Sequence, residues 1–156
     1  MKNIIFILLI NLLFSCSSFL DDEHFYCEPE IMPVLETYEA EALKRGHTLD
    51  KSNLFIIFED HKQMYEDDKA FGTAGKKNSI RIIKIADFYW KDFHDPFPLI
   101  NEILLFHELG HIDLNRQHTE NINSIMCPRI YDVYDIYKQS EQIREKYIDE
   151  LFQNLN

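Results

Sequence analysis

Pro98-Leu99-Ile100-Asn101-Glu102-Ile103-Leu104-Leu105-Phe106 runs directly into His107-Glu108-Leu109-Gly110-His111-Ile112-Asp113-Leu114-Asn115-Arg116-Gln117-His118. Apolar side chains recur at helical spacing through the first of these segments, so the helix they predict carries the H-E-x-x-H sequence that follows. On a helix, residues four apart lie about 40° apart round the axis and roughly 6 Å along it, so His107 and His111 project from one face and can grip one tetrahedral metal ion. Glu108, one step round, borders the same pocket. Two neutral imidazoles for a metal, beside a carboxylate that can take a proton from a metal-bound water, are what a zinc hydrolase requires. A pattern with so few fixed positions arises by chance in many chains. The helical run before it, a third histidine at His118 and the tripeptide Ser124-Ile125-Met126 beyond it give it weight.

H-E-x-x-H, a further histidine and a Ser-Ile-Met turn together resemble the metzincin clan of zinc endopeptidases, whose pattern is H-E-x-x-H-x-x-G-x-x-H followed by a methionine-containing turn under the metal. The resemblance covers the back half of the chain, and the front half only in its order of elements. It implies Zn2+ held by His107, His111 and a third ligand, with Glu108 as general base and then acid. It also implies Met126 as an apolar floor beneath the imidazoles, and a peptide or protein substrate. The expected fold is α+β: a small, twisted, mostly parallel sheet with a backing helix, an active-site helix, the Met-turn and a C-terminal helix. The chain departs from the pattern by one residue, because the metzincin glycine falls on Leu114 and the third ligand position on Gln117. A one-residue insertion repairs both: Asn is the non-glycine residue best suited to a left-handed turn, so the helix can end at Asn115 and His118 can supply the ligand. Gln117 is a poor zinc ligand, Asp113 points about 200° round the helix from His111, and Glu120 is the next alternative to His118. Some metzincins carry a tyrosine two residues after the methionine; Pro128 stands there, which leaves Tyr131 as a weak candidate for an oxyanion helper.

At 156 residues and 46% hydrophobic, the chain is long enough for one domain with a real core and too short for two. Its net charge of −11 disfavours nucleic acid and anionic membrane surfaces as partners, because phosphate binding needs a basic face. Met1-Lys2-Asn3 and the mostly apolar stretch from Ile4 to Phe14 have the proportions of a signal peptide rather than a spanning helix. Leu13-Phe14-Ser15-Cys16 resembles a bacterial lipobox. Residues 1–15 are therefore expected to be a lipoprotein signal peptide, with Cys16 the lipidated N-terminus, 16–27 a tether and 28–156 the metzincin-like domain. The protein is expected to be a monomer of the cell envelope, anchored by its lipid to a membrane, most naturally the outer one on its periplasmic or surface face. Cys27 and Cys127 could form one disulfide in such a compartment or stay as buried thiols, and neither sits at metal-ligand spacing. A second class of function uses the same residues: a non-catalytic zinc-containing surface lipoprotein that binds a protein or glycan partner. Glu108 argues against it, since a purely structural zinc site does not need that carboxylate.

Upstream, Pro29 opens a predicted helix over residues 30–45 that Gly46 ends. Leu54-Phe55-Ile56-Ile57-Phe58 predicts a buried strand, and residues 59–69 a loop or short helical turn. Residues 71–79, which hold two of the four glycines, predict a turn-rich link or the bend of a hairpin. Ile80-Arg81-Ile82-Ile83-Lys84-Ile85 alternates as a half-exposed strand. In metzincins the edge strand before the active helix pairs with extended substrate, so residues 80–85 are the candidate for it, with an interior strand as the alternative. Residues 87–98 are aromatic and irregular in pattern, and residues 134–155 predict one long amphipathic C-terminal helix after Pro128. His24, His47, His61 and His94 have no partner at ligand spacing.

Overall fold

A computed structural model describes residues 24–60, 64, 70–94 and 97–153. The expected signal segment 1–15, Cys16 of the expected lipobox, His61 and most of the polar stretch after Glu59 lie outside the described residues.

The sheet is centred on the two most apolar strands. Leu54–Glu59 (β2) and Ile80–Ala86 (β4) run parallel, in a register from Leu54 opposite Arg81 to Glu59 opposite Ala86. Their alternation places Leu54, Ile56, Ile83 and Ile85 on one fully buried face. Phe25–Cys27 (β1) adds in parallel to β2, so pairing reaches into the segment expected to be tether. Gly72–Lys77 (β3) folds back antiparallel on β4 through a two-residue turn, Asn78-Ser79, where Asn78 takes a left-handed φ of 57°. The order β1-β2-β4-β3 makes β4 an interior strand. The edge strand beside the predicted H-E-x-x-H helix is therefore β3, not residues 80–85. Apart from Thr73, its Gly-Thr-Ala-Gly-Lys-Lys sequence is made of residues depleted in strands, and it is held extended by the ladder with β4.

Helix α1 (Met32–Lys44) has Pro33 in its first turn and buries Leu35, Tyr38 and Ala42. It ends in a Schellman arrangement: the Gly46 N–H donates to Leu43 O and the His47 N–H to Ala42 O, with Gly46 at φ 75°. Residues 87–94, which lack a clear period, form a helix, α2 (Asp87–His94), because Tyr89 and Trp90 are drawn into the core while Phe88 stays outside. Helix α3 (Pro98–Ile112) is the centre of the molecule. Ile100, Ile103, Leu104, Leu105, Phe106 and Leu109 on it are all fully buried, as befits a helix packed on more than one side. Tyr38 of α1 meets Phe106 edge-on, ring centroids 5.1 Å apart.

The single C-terminal helix expected over residues 134–155 is two helices, α4 (Ile130–Tyr137) and α5 (Glu141–Leu151). Ser140 breaks them. Its backbone is extended (φ −165°, ψ 159°) and its side chain accepts from the Ile143 N–H, an N-cap that competes with helix continuation. The fold is α+β, with a four-stranded mixed sheet and five helices among the described residues. Cys27 and Cys127 are both unbridged and buried, which settles their pairing in favour of free thiols. No helix among the described residues is long and apolar enough to cross a membrane.

Candidate metal centre

The end of α3 determines where the third histidine goes. The Asp113 N–H closes the last α-turn on Leu109 O, and the chain then reverses at Asn115, whose φ of 53° is left-handed as the inserted-residue argument requires. The Arg116 N–H returns to Gly110 O at 2.9 Å, and His118 is carried back over the helix. His118 Nε2 lies 3.0 Å from His107 Nε2, which in turn lies 3.2 Å from His111 Nε2. Glu120, the alternative ligand, is not part of this cluster. Asp113 is engaged elsewhere, accepting from the Tyr38 hydroxyl and facing His47 Nε2, both at 2.8 Å.

Hydrogen bonding fixes which ring nitrogens are free. His107 Nδ1 faces the carbonyl of Ile125 and His111 Nδ1 the carbonyl of Arg116, each at 2.7 Å. A carbonyl only accepts, so both Nδ1 atoms carry the proton and both Nε2 atoms present lone pairs when the rings are neutral. Neutral is the favoured state of His107: burial, reinforced by the neighbouring His111 and His118, takes its pKa down to about 4 against a smaller opposing contribution from the Ile125 carbonyl. Burial also lowers His118. Lone pairs of His107 and His111 thus face one another at 3.2 Å with no proton between them, an arrangement that a shared cation relieves. A tetrahedral cation bound to imidazoles at about 2.0–2.1 Å sets its ligand nitrogens ~3.3 Å apart. The spacing and the donor set both fit, so His107, His111 and His118 could bind a metal ion; the first is buried, the second half-buried and the third exposed.

Glu108 is buried beside them, and its carboxyl has no hydrogen-bond or ion-pair partner among the described residues. Burial pushes its pKa up to about 8. Gly72 at the start of β3 covers it, and a Cβ built there would come within 2.6 Å of Glu108 Oε1. On the opposite side, Met126 is fully buried with its sulfur against Gly110, between the two helical histidines, where any Cβ on Gly110 would collide with it. The turn carrying Met126 is closed by the Cys127 N–H donating to Ser124 O, and the Met126 N–H donates to Ser124 Oγ, both at 3.1 Å. An open cleft of about 830 Å³ runs over the histidines and Glu108, bounded by residues 70–76 on one side and by Pro128 and Ile130 on the other. Tyr131 packs edge-on against Phe71 and Tyr89, with centroids 6.2 and 6.3 Å away.

Gly72, Arg116 and Glu150 belong to the surroundings of this centre and had no signal in the sequence, because each meets its partner across a long stretch of chain. Comparison with family models, with curated proteins and with solved structures finds no match for this chain.

Proposed function

We propose that the protein is a zinc metalloendopeptidase of metzincin type, lipid-anchored in the cell envelope through Cys16. The observation that carries the peptidase reading is the convergence of three Nε2 atoms, two of them with tautomers fixed by carbonyls, next to a buried carboxyl that has no hydrogen-bond or ion-pair partner among the described residues. Zinc, the usual choice of a three-imidazole site, would be held by His107, His111 and His118 and would supply Lewis acidity and a water of lowered pKa, a source of nucleophile near neutral pH. Glu108 takes the proton of the attacking water on its carboxylate and returns it to the leaving amine. Edge strand β3 offers main-chain groups to an extended peptide, and its small side chains at Gly72, Thr73, Ala74 and Gly75 let a second backbone come close. Met126 and Gly110 keep the floor of the site dry and closely packed.

The test is metal analysis of the purified chain together with digestion of a peptide library, with and without chelator. One zinc per chain and chelator-sensitive cleavage are expected. Zinc without cleavage would move the assignment to a non-catalytic zinc lipoprotein, and no metal at all would overturn the reading. Intact-mass measurement of membrane-extracted protein tests the anchor, with an acyl increment on Cys16 as the expected result.

A further inference from the structure

We infer that Glu150, in the last turn of α5, is a positioning residue for the metal centre, because its one carboxylate holds both loops whose carbonyls orient His107 and His111. The inference rests on the metal reading above. Glu150 Oε2 accepts from Ser124 Oγ at 2.7 Å, and Oε1 accepts from Arg116 Nη2. The Arg116 carbonyl receives the His111 Nδ1–H, and Ile125, next to Ser124, receives the His107 Nδ1–H. The path from Glu150 to each imidazole is therefore one side chain and one short piece of backbone.

Arg116 is further fixed by Nη1, which donates to the carbonyls of Glu150, Leu151 and Gln153 at 3.1–3.3 Å. The Glu150 and Leu151 carbonyls lie in the last turn of α5 and the Gln153 carbonyl just beyond it, and the Glu150 carbonyl also accepts from the Gln153 N–H at 3.2 Å. The partial negative charge of a helix C-terminus disfavours a carboxylate, so an acidic residue there needs a partner that outweighs it. Arg116 provides that partner. Ser124 is fully buried, and its hydroxyl both donates to Glu150 and accepts from the Met126 N–H, so Glu150 also fixes which way that hydroxyl points. A surface ion pair contributes little to stability. Holding the carbonyls that orient metal-binding imidazoles is a different task, and loss of such outer contacts typically weakens metal binding ~10–100-fold.

The experiment uses the full chain and Co2+ as the probe, because its visible d–d bands report the ligand geometry directly. Glu150→Ala is expected to weaken Co2+ binding ~10–100-fold and to shift the d–d bands. Glu150→Gln, which keeps an acceptor for one arm only, should fall between wild type and Glu150→Ala, and it serves as the test if Glu150→Ala does not fold. Ser140→Ala is the control: it removes the N-cap of the same helix and lowers the unfolding temperature, but leaves Co2+ affinity and spectrum unchanged. Glu150 variants that are folded and bind Co2+ with wild-type affinity and spectrum would overturn the inference. Wild-type protein that takes up no Co2+ would overturn the metal reading itself and this inference with it.

Discussion

Glu108 sits in an environment that favours its neutral form, with a pKa pushed up to about 8 by burial, and yet the proposed chemistry needs the carboxylate. A cation at the three adjacent nitrogens supplies the missing charge and favours ionisation. Glu108→Gln should accordingly retain zinc by elemental analysis while peptide hydrolysis falls ~10²–10⁴-fold. Gly72→Ala tests the same carboxyl from the other side. The added methyl would lie 2.6 Å from Oε1, so the side chain must shift, and a displacement of about 1 Å in such a group can cost ~10²-fold in rate. Steady-state kinetics should show that loss in kcat, with metal content and circular dichroism unchanged. At this scale the sequence was most informative where the partners are local: the spacing of His107 and His111, the left-handed Asn115 and the return of His118 all follow from neighbours within a few turns. Gly72 could not be found that way, since its need to lack a Cβ comes from a glutamate on another element.

Between elements, Glu41 of α1 ties the back of the molecule together. It is buried, with Lys44 Nζ at 2.9 Å, Arg45 Nη1 at 2.6 Å and Arg144 of α5 at 3.6 Å. Burial alone would raise its pKa, but the hydrogen bonds from Lys44 and Arg45 outweigh it and leave the pKa lowered. With the folded pKa below the unfolded value of about 4.3, the unfolded chain binds the proton more readily in acid. The stabilising contribution is therefore complete at neutral pH and disappears as pH falls below about 4.3 and through the folded pKa. Urea denaturation at a series of pH values should show wild type more stable than Glu41→Gln at pH 7, with the gap closing in acid. Elements with their own period were legible, namely α1, β2, β4 and α3. The others depend on tertiary context. β3 is a glycine- and lysine-containing stretch that pairing alone makes a strand, α2 is short and organised by the burial of two aromatic rings, and the α4–α5 break comes from one serine cap inside an otherwise continuous apolar period.

For the molecule as a whole, any metal bound at the native centre adds to folding stability, by ~2.7 kcal/mol when free metal is 100 times the dissociation constant. Chelation should lower the denaturation midpoint of the wild type and leave that of His111→Ala, which has lost a ligand, nearly unmoved. The α+β class could be read from the order of predicted strands and helices, whereas sheet order could not, because nothing in residues 80–85 distinguishes an edge strand from one flanked on both sides. The two unbridged cysteines of the core bear on how this domain matures. Cys27 and Cys127 are packed as small apolar groups, and burial takes the Cys27 thiol up to about 12, far from the thiolate that oxidants attack. Among the described residues the native state then owes nothing to a disulfide, and dithiothreitol should leave the unfolding temperature of the metal-free protein where it was. A domain whose two described cysteines stay as buried thiols can reach its fold in a reducing or an oxidising compartment alike, without waiting for a catalyst to join them.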